Sequence, residues 1–124
     1  MRADELLTVF TNLYPKFAAQ WASADNLHRS GDTFTAAGVC AEFSSFYQDL
    51  ALPLDTVAAS SLFDHIESIV ANDLEDVDAV ANALCTCFVE NIAHTGVGES
   101  SSRFMGPATR KFFDFGHSGF NERS

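Results

Sequence analysis

Apolar residues recur at intervals of three and four along almost the whole chain, and this period constrains the fold more than any other feature. The first stripe runs through Leu6, Phe10, Leu13 and Phe17. Because an α-helix turns once every 3.6 residues, this spacing places the side chains on one face. No segment shows the strict alternation of a half-buried strand. The sequence therefore predicts an all-α fold with no sheet.

Start and stop signals divide the pattern into a bundle of about five helices within a single domain, residues 1–124. Residues 1–22 form the first helical segment, in which Pro15 either kinks the helix or starts a second short one. Polar residues and Gly31 predict a loop over 23–32. The other helices are expected at 32–51, 55–73, 77–94 and 107–117, with a small, polar, mobile connection over 96–102 and a tail over 118–124 that can fray.

The helix expected at 77–94 is apolar on nearly all sides. Leu84 and Phe88 belong to one face, and Cys85 and Val89 belong to the other. A helix of this kind is usually central in a bundle. The sequence therefore predicts that Phe88 lies in the core.

The acidic residues are distributed unevenly. No Lys or Arg occurs between Arg29 and Arg103, whereas that stretch has twelve acids: Asp32, Glu42, Asp49, Asp55, Asp64, Glu67, Asp73, Glu75, Asp76, Asp78, Glu90 and Glu99. Such a field repels phosphate, so we expect no direct nucleic-acid binding. It attracts a basic protein and accelerates the encounter. Solubility alone is the alternative interpretation of this charge.

Export and membrane signals are not evident. No apolar run approaches the roughly 18 residues needed to cross a bilayer. Asp4 and Glu5 stand where an export signal has positive charge. The odd number of cysteines does not indicate a disulfide framework. We therefore expect a cytoplasmic protein with free thiols and no membrane partner.

Motifs for catalysis or metal binding are weak. Cys85 and Cys87 are two residues apart, so on a helix their side chains point about 200° away from each other. Glu90 and His94 can meet on one helix face, which leaves a metal site as an alternative to a half-buried Glu90 paired with an arginine of the last helix. No nucleophile elbow, phosphate-binding loop or dinucleotide fingerprint occurs. From the sequence we expect that the protein is not an enzyme and that it has no catalytic residues, no metal and no cofactor.

Three segments resemble a family of small bacterial helical domains whose function is not assigned. They are Phe63-Asp-His-Ile-Glu67, Cys85-Thr-Cys-Phe-Val-Glu-Asn91 and Met105-Gly-Pro107. The resemblance covers about residues 34–115, with Val89 where the family pattern prefers Leu. It implies that Glu67, Glu90, Asn91, Gly106 and Pro107 are motif residues, without assigning them chemistry.

In size and charge the chain is similar to the immunity proteins of bacterial toxin systems, including contact-dependent growth inhibition. This similarity implies a toxin inhibitor that blocks a cognate basic protein, most simply a nuclease toxin domain, through an acidic surface. The expected contact residues are Asp73, Glu75, Asp76 and Asp78, at the turn between two helices. A helical adaptor or regulatory subunit is the alternative function, and a metal-dependent enzyme is the third.

Overall fold

A computed structural model describes residues 1–23, 25–72 and 79–114. Most of these residues are helical. The α-helices are α1 (Ala3–Leu13), α2 (Pro15–Ala22), α3 (Ala36–Gln48), α4 (Thr56–Ala71), α5 (Val80–Leu84), α6 (Glu90–Ile92) and α7 (Gly96–Ser101). A π-helical turn (Cys85–Val89) joins α5 to α6, and a 3-10 turn (Ser102–Phe104) follows α7. The C-terminal helix is described over residues 107–114.

The prediction of no sheet is wrong. Strands β1 (Arg29–Ser30) and β2 (Thr33–Phe34) form an antiparallel hairpin. The first strand lies within the segment expected to be a loop, and the second lies at the start of the helix expected at 32–51. Gly31 adopts a φ of 61° at the turn, a conformation that glycine tolerates best. The Arg29 guanidinium holds the hairpin against α2 by donating to the carbonyl oxygens of Trp21 (2.8 Å) and Ala22 (2.7 Å). Strands of two residues are too short to show alternation, so periodicity could not reveal them.

The prediction of about five helices is also wrong, because two expected helical segments are subdivided and one expected connection is helical. Pro15 starts the separate helix α2, which is one of the two outcomes that the sequence left open. The helix expected at 77–94 contains the π-helical turn, where the N–H of Glu90 donates to the carbonyl of Cys85. The connection expected at 96–102 contains α7, whose first turn is capped by the Thr95 side chain through the N–H of Gly98.

The core is an aromatic cluster around α3. This helix contacts α1, α2, α5, the π-helical turn, α6 and α7. Phe10 and Phe43 stack with ring centroids 3.9 Å apart, and Phe88 lies 5.3 Å from Phe43. Phe88 is fully buried, as the sequence predicts. Within the described residues, no helix is both long and apolar enough to span a membrane.

Candidate functional site

A surface cavity of about 340 Å³ lies where the junction of α1 and α2 meets the end of α3 and the start of α4. Apolar or aromatic side chains form most of its wall, and they are half-buried against the core: Leu13, Tyr14, Phe46, Leu50 and Leu54. Small-ligand sites usually have volumes of about 300–1,000 Å³ and apolar walls with few polar groups. The cavity has both properties.

Tyr14 connects the cavity wall to a buried hydrogen-bonded pair, Tyr47 and Ser101. The rings of Tyr14 and Tyr47 meet edge to face with centroids 6.0 Å apart, and the Tyr47 hydroxyl lies 2.7 Å from Oγ of Ser101. The single proton of Ser101 is donated to the carbonyl oxygen of Val97, so Tyr47 is the donor to Ser101. Burial raises the pKa of Tyr14 and also that of Tyr47. Both phenols are therefore neutral at physiological pH.

Two opposite charges stand at the edge of the cavity. Lys16 is in the first turn of α2, and Asp55 is the N-cap of α4. Oδ1 of Asp55 accepts the N–H groups of Val57 and Ala58, at 3.0 and 3.2 Å. In the described part of the chain, no ion pair joins Lys16 to Asp55 or to any other acid, and Oδ2 of Asp55 has no protein donor. Both side chains can therefore bind a further charged group.

Three of the five motif residues meet at the start of the C-terminal helix. The Glu67 carboxylate accepts the N–H of Ala108 at 3.0 Å and the N–H and hydroxyl of Thr109 at 2.9 and 2.8 Å. Gly106 is the N-cap residue of this helix, and Pro107 is its first residue. The carbonyl of Gly106 accepts the first helical hydrogen bond, from the N–H of Arg110. A cap side chain accepts from the second and third residues of a helix, and glycine has none to offer. Glu67 supplies this cap from α4.

The position of the Glu67 carboxylate also explains why residue 106 is a glycine. A Cβ at position 106 would overlap the carboxyl group of Glu67. Partial desolvation raises the pKa of Glu67, but the backbone and side-chain hydrogen bonds from Thr109 and Ala108 outweigh it, and the net pKa is lowered. The carboxylate is therefore ionised at neutral pH and complements the positive end of the helix. This role is structural.

The other two motif residues, Glu90 and Asn91, lie elsewhere. Asn91 donates to the carbonyl of Cys87 inside the helical segment, 2.7 Å away. Glu90 is half-buried, as expected. The arginine proposed as its partner is engaged differently, because Arg110 pairs with Asp114 at 3.2 Å and donates to the carbonyl of Ser102.

The thiols of Cys40 and Cys85 are buried, and that of Cys87 is half-buried. Cys40 is buried, and burial raises the pKa of its thiol, with smaller contributions from Cys87 and Cys85. Among the described residues, no group of three or more His, Cys, Asp and Glu side chains is arranged to hold a metal ion. His94 is exposed.

The four predicted partner-binding residues, Asp73, Glu75, Asp76 and Asp78, lie outside the described residues, as does the predicted tail over 118–124. The structure does describe other acids of the stretch between Arg29 and Arg103. Asp32, Asp49 and Asp64 are exposed and have no basic partner within the described ranges. Their charges face solvent.

The sequence did not predict that Tyr14, Lys16 and Asp55 form one group. The signals it offers there are local: Pro15 breaks the first helical stripe, and a helix is expected to begin at Asp55. Neither signal indicates that the ends of two helices far apart in sequence lie together.

Comparisons with known proteins add no relative. No protein-family model matches the chain, and neither a curated protein nor a solved structure matches it. The resemblance to small bacterial helical domains stays a prediction.

Proposed function

We propose that this protein neutralises a basic protein partner, as the immunity proteins of bacterial toxin systems do. One observation carries the proposal. The exposed acids Asp32, Asp49 and Asp64 belong to a stretch without Lys or Arg, and they have no basic partner in the described part of the chain. Unneutralised surface charge of one sign produces a field that attracts a partner of opposite sign.

The chemistry of the proposed contact follows from charge. A nuclease cleft that binds nucleic acid displays Lys and Arg to phosphate groups. Carboxylates can occupy the same positions and prevent the substrate from entering. The formal net charge of −10 speeds the encounter with such a cleft, and acids placed inside it stabilise the complex. We assign this second role to Asp73, Glu75, Asp76 and Asp78, between α4 and α5.

The test uses the product of the gene adjacent to that of this protein as the partner. Replacing the four acids together by Asn or Gln changes the formal net charge from −10 to −6, since four negative charges are removed. We expect weaker binding, slower association at low salt, a smaller salt dependence and less protection of cells that express the partner. Surface plasmon resonance at several NaCl concentrations and a growth assay measure these effects.

A matched variant removes four charges elsewhere, by converting Asp25, Asp32, Asp49 and Asp64 to Asn. It also has a net charge of −6, and we expect it to slow association without loosening the bound complex. Equal dissociation rates for the two variants would contradict the four-residue site. Unchanged binding by both variants would contradict the acidic mechanism as a whole.

A further inference from the structure

We infer that the cavity at the junction of α1 and α2 binds a small apolar zwitterion, namely a free α-amino acid with a large apolar side chain. The cavity measures about 340 Å³, which suits a ligand of this size. This inference is independent of the proposed neutralising function, since it rests on different residues.

The wall of the cavity determines the apolar part of the ligand. Leu13, Phe46 and Leu50 each pack against the core with one side and line the cavity with another. An apolar side chain placed among them would lose its contact with water, and this loss favours binding. The ring of Tyr14 adds an aromatic surface.

The edge of the cavity determines the charged part. Lys16 and Asp55 both line the cavity, yet no ion pair joins them in the described part of the chain. A ligand with only one charge satisfies one of these groups and faces a like charge on the other. An α-amino acid has an ammonium group for Oδ2 of Asp55 and a carboxylate for Lys16. It is complementary to both.

The capping role of Asp55 leaves this interaction available. Its Oδ1 accepts the two N–H groups of α4, so the carboxylate is held in place while Oδ2 remains open to a donor. An ammonium group has three donors, and one of them can use this oxygen.

Isothermal titration calorimetry with L-phenylalanine tests the inference. We expect saturable binding with a Kd of about 10 µM to about 1 mM, as ligand efficiencies for a molecule this small allow. N-acetyl-L-phenylalanine lacks the ammonium group, and L-phenylalaninamide lacks the carboxylate. Each should bind at least about tenfold more weakly, because each loses one charge-assisted interaction.

Two variants locate the site, and each has a matched control. Lys16→Met and Asp55→Asn should weaken the binding of L-phenylalanine at least about tenfold. Asn remains a good N-cap, so Asp55→Asn removes the charge and preserves α4. The only other lysine is Lys111, so Lys111→Met is the control for the first variant. Asp49→Asn is the control for the second, and both controls should bind within about twofold of the parent protein.

Several results would overturn the inference. Absence of saturable binding up to about 10 mM L-phenylalanine would exclude the ligand class. Binding of the N-acetyl compound as tightly as the parent amino acid would make the site an anion site, and equally tight binding of the amide would make it a cation site. Equal binding by Lys16→Met and Lys111→Met would place the ligand elsewhere. If Asp55→Asn fails to fold, Lys16→Met and the two analogues still decide the outcome.

Discussion

Phe88 lies at the centre of the aromatic cluster and is fully buried. Its ring contacts those of Phe43 and Tyr47, both at 5.3 Å between centroids. Phe88→Ala should lower the free energy of unfolding by about 3–5 kcal/mol, because it removes apolar contacts and leaves a cavity. Urea denaturation measures the change. The matched variant Phe112→Ala alters a side chain that is 38% exposed and should cost less than about 1 kcal/mol. A similar cost for both variants would contradict the position of Phe88.

Glu67 illustrates a residue whose role depends on its charge. Glu67→Gln retains one acceptor oxygen for the N–H groups of the C-terminal helix but loses the negative charge. We expect a loss of about 1–2 kcal/mol at pH 7, from weaker capping and a lost interaction with the helix dipole. Because the pKa of Glu67 is lowered in the folded protein, its stabilising contribution is present above the unfolded pKa, about 4.3. It disappears as the pH falls through the folded pKa.

Thermal unfolding of both proteins between pH 7 and pH 3 checks this dependence on pH. The difference in stability between the parent protein and Glu67→Gln should shrink below about pH 4. Asp49→Asn is the control, since Asp49 is exposed and its side chain has no partner in the described ranges. A difference that stays constant down to pH 3 would mean that the ionised carboxylate is not what caps the helix.

In the described part of the chain, three helices begin at a residue whose own side chain caps them. Thr35 caps α3 through Gly38, Asp55 caps α4 through Val57 and Ala58, and Thr95 caps α7 through Gly98. The helix expected at 55–73 starts at its cap, Asp55, whereas the helix expected at 32–51 starts four residues before α3. The sequence predicts a mobile connection after Thr95 because small polar residues are typical of loops.

Two glycines of α7 give a prediction at the level of this helix. A Cβ at Gly98 would overlap the carbonyl oxygen of Ile92, whereas a Cβ at Gly96 would meet only Cδ1 of Leu52, at 3.9 Å. Gly98→Ala should therefore destabilise the protein by about 1–3 kcal/mol, since the backbone must move. Gly96→Ala should be neutral or stabilising by up to about 1 kcal/mol. Chemical denaturation of the two variants compares them, and equal effects would contradict the close approach of α7 to α6.

The whole molecule has a formal net charge of −10, and mutual repulsion of its acids opposes the compact state. Salt screens this repulsion, because the Debye length falls from about 30 Å at 0.01 M to about 3 Å at 1 M ionic strength. Raising NaCl from about 10 mM to about 500 mM should therefore raise the Tm by about 3–6 °C. Differential scanning calorimetry at the two NaCl concentrations measures this change in Tm.

The variant in which Asp25, Asp32, Asp49 and Asp64 become Asn is the reference for this effect. Its formal net charge is −6, so its Tm should rise less with salt than that of the parent protein. Equal rises in both proteins would attribute the salt effect to something other than repulsion among the acids.

The sequence by itself determined the mainly helical class and much of the core. Both follow from the 3.6-residue period, which is a relation between neighbours in the chain. Leu6, Phe10 and Phe17 are buried as their stripe predicts, and so is Phe88. Leu13 belongs to the same stripe, but it is only half-buried and lies at the cavity wall, a difference that the stripe does not predict.

Tertiary structure alone decided the contacts between distant segments. Glu67 caps a helix that begins about forty residues later, and the reason for Gly106 is visible only when the Glu67 carboxylate lies beside it. The β-hairpin depends on Arg29 reaching the end of α2. The cavity lies between the start of α2 and the start of α4, so Lys16 and Asp55 line one cavity only because these helices pack together. Helical periodicity and caps act within a few residues, whereas these contacts depend on how the helices pack against one another.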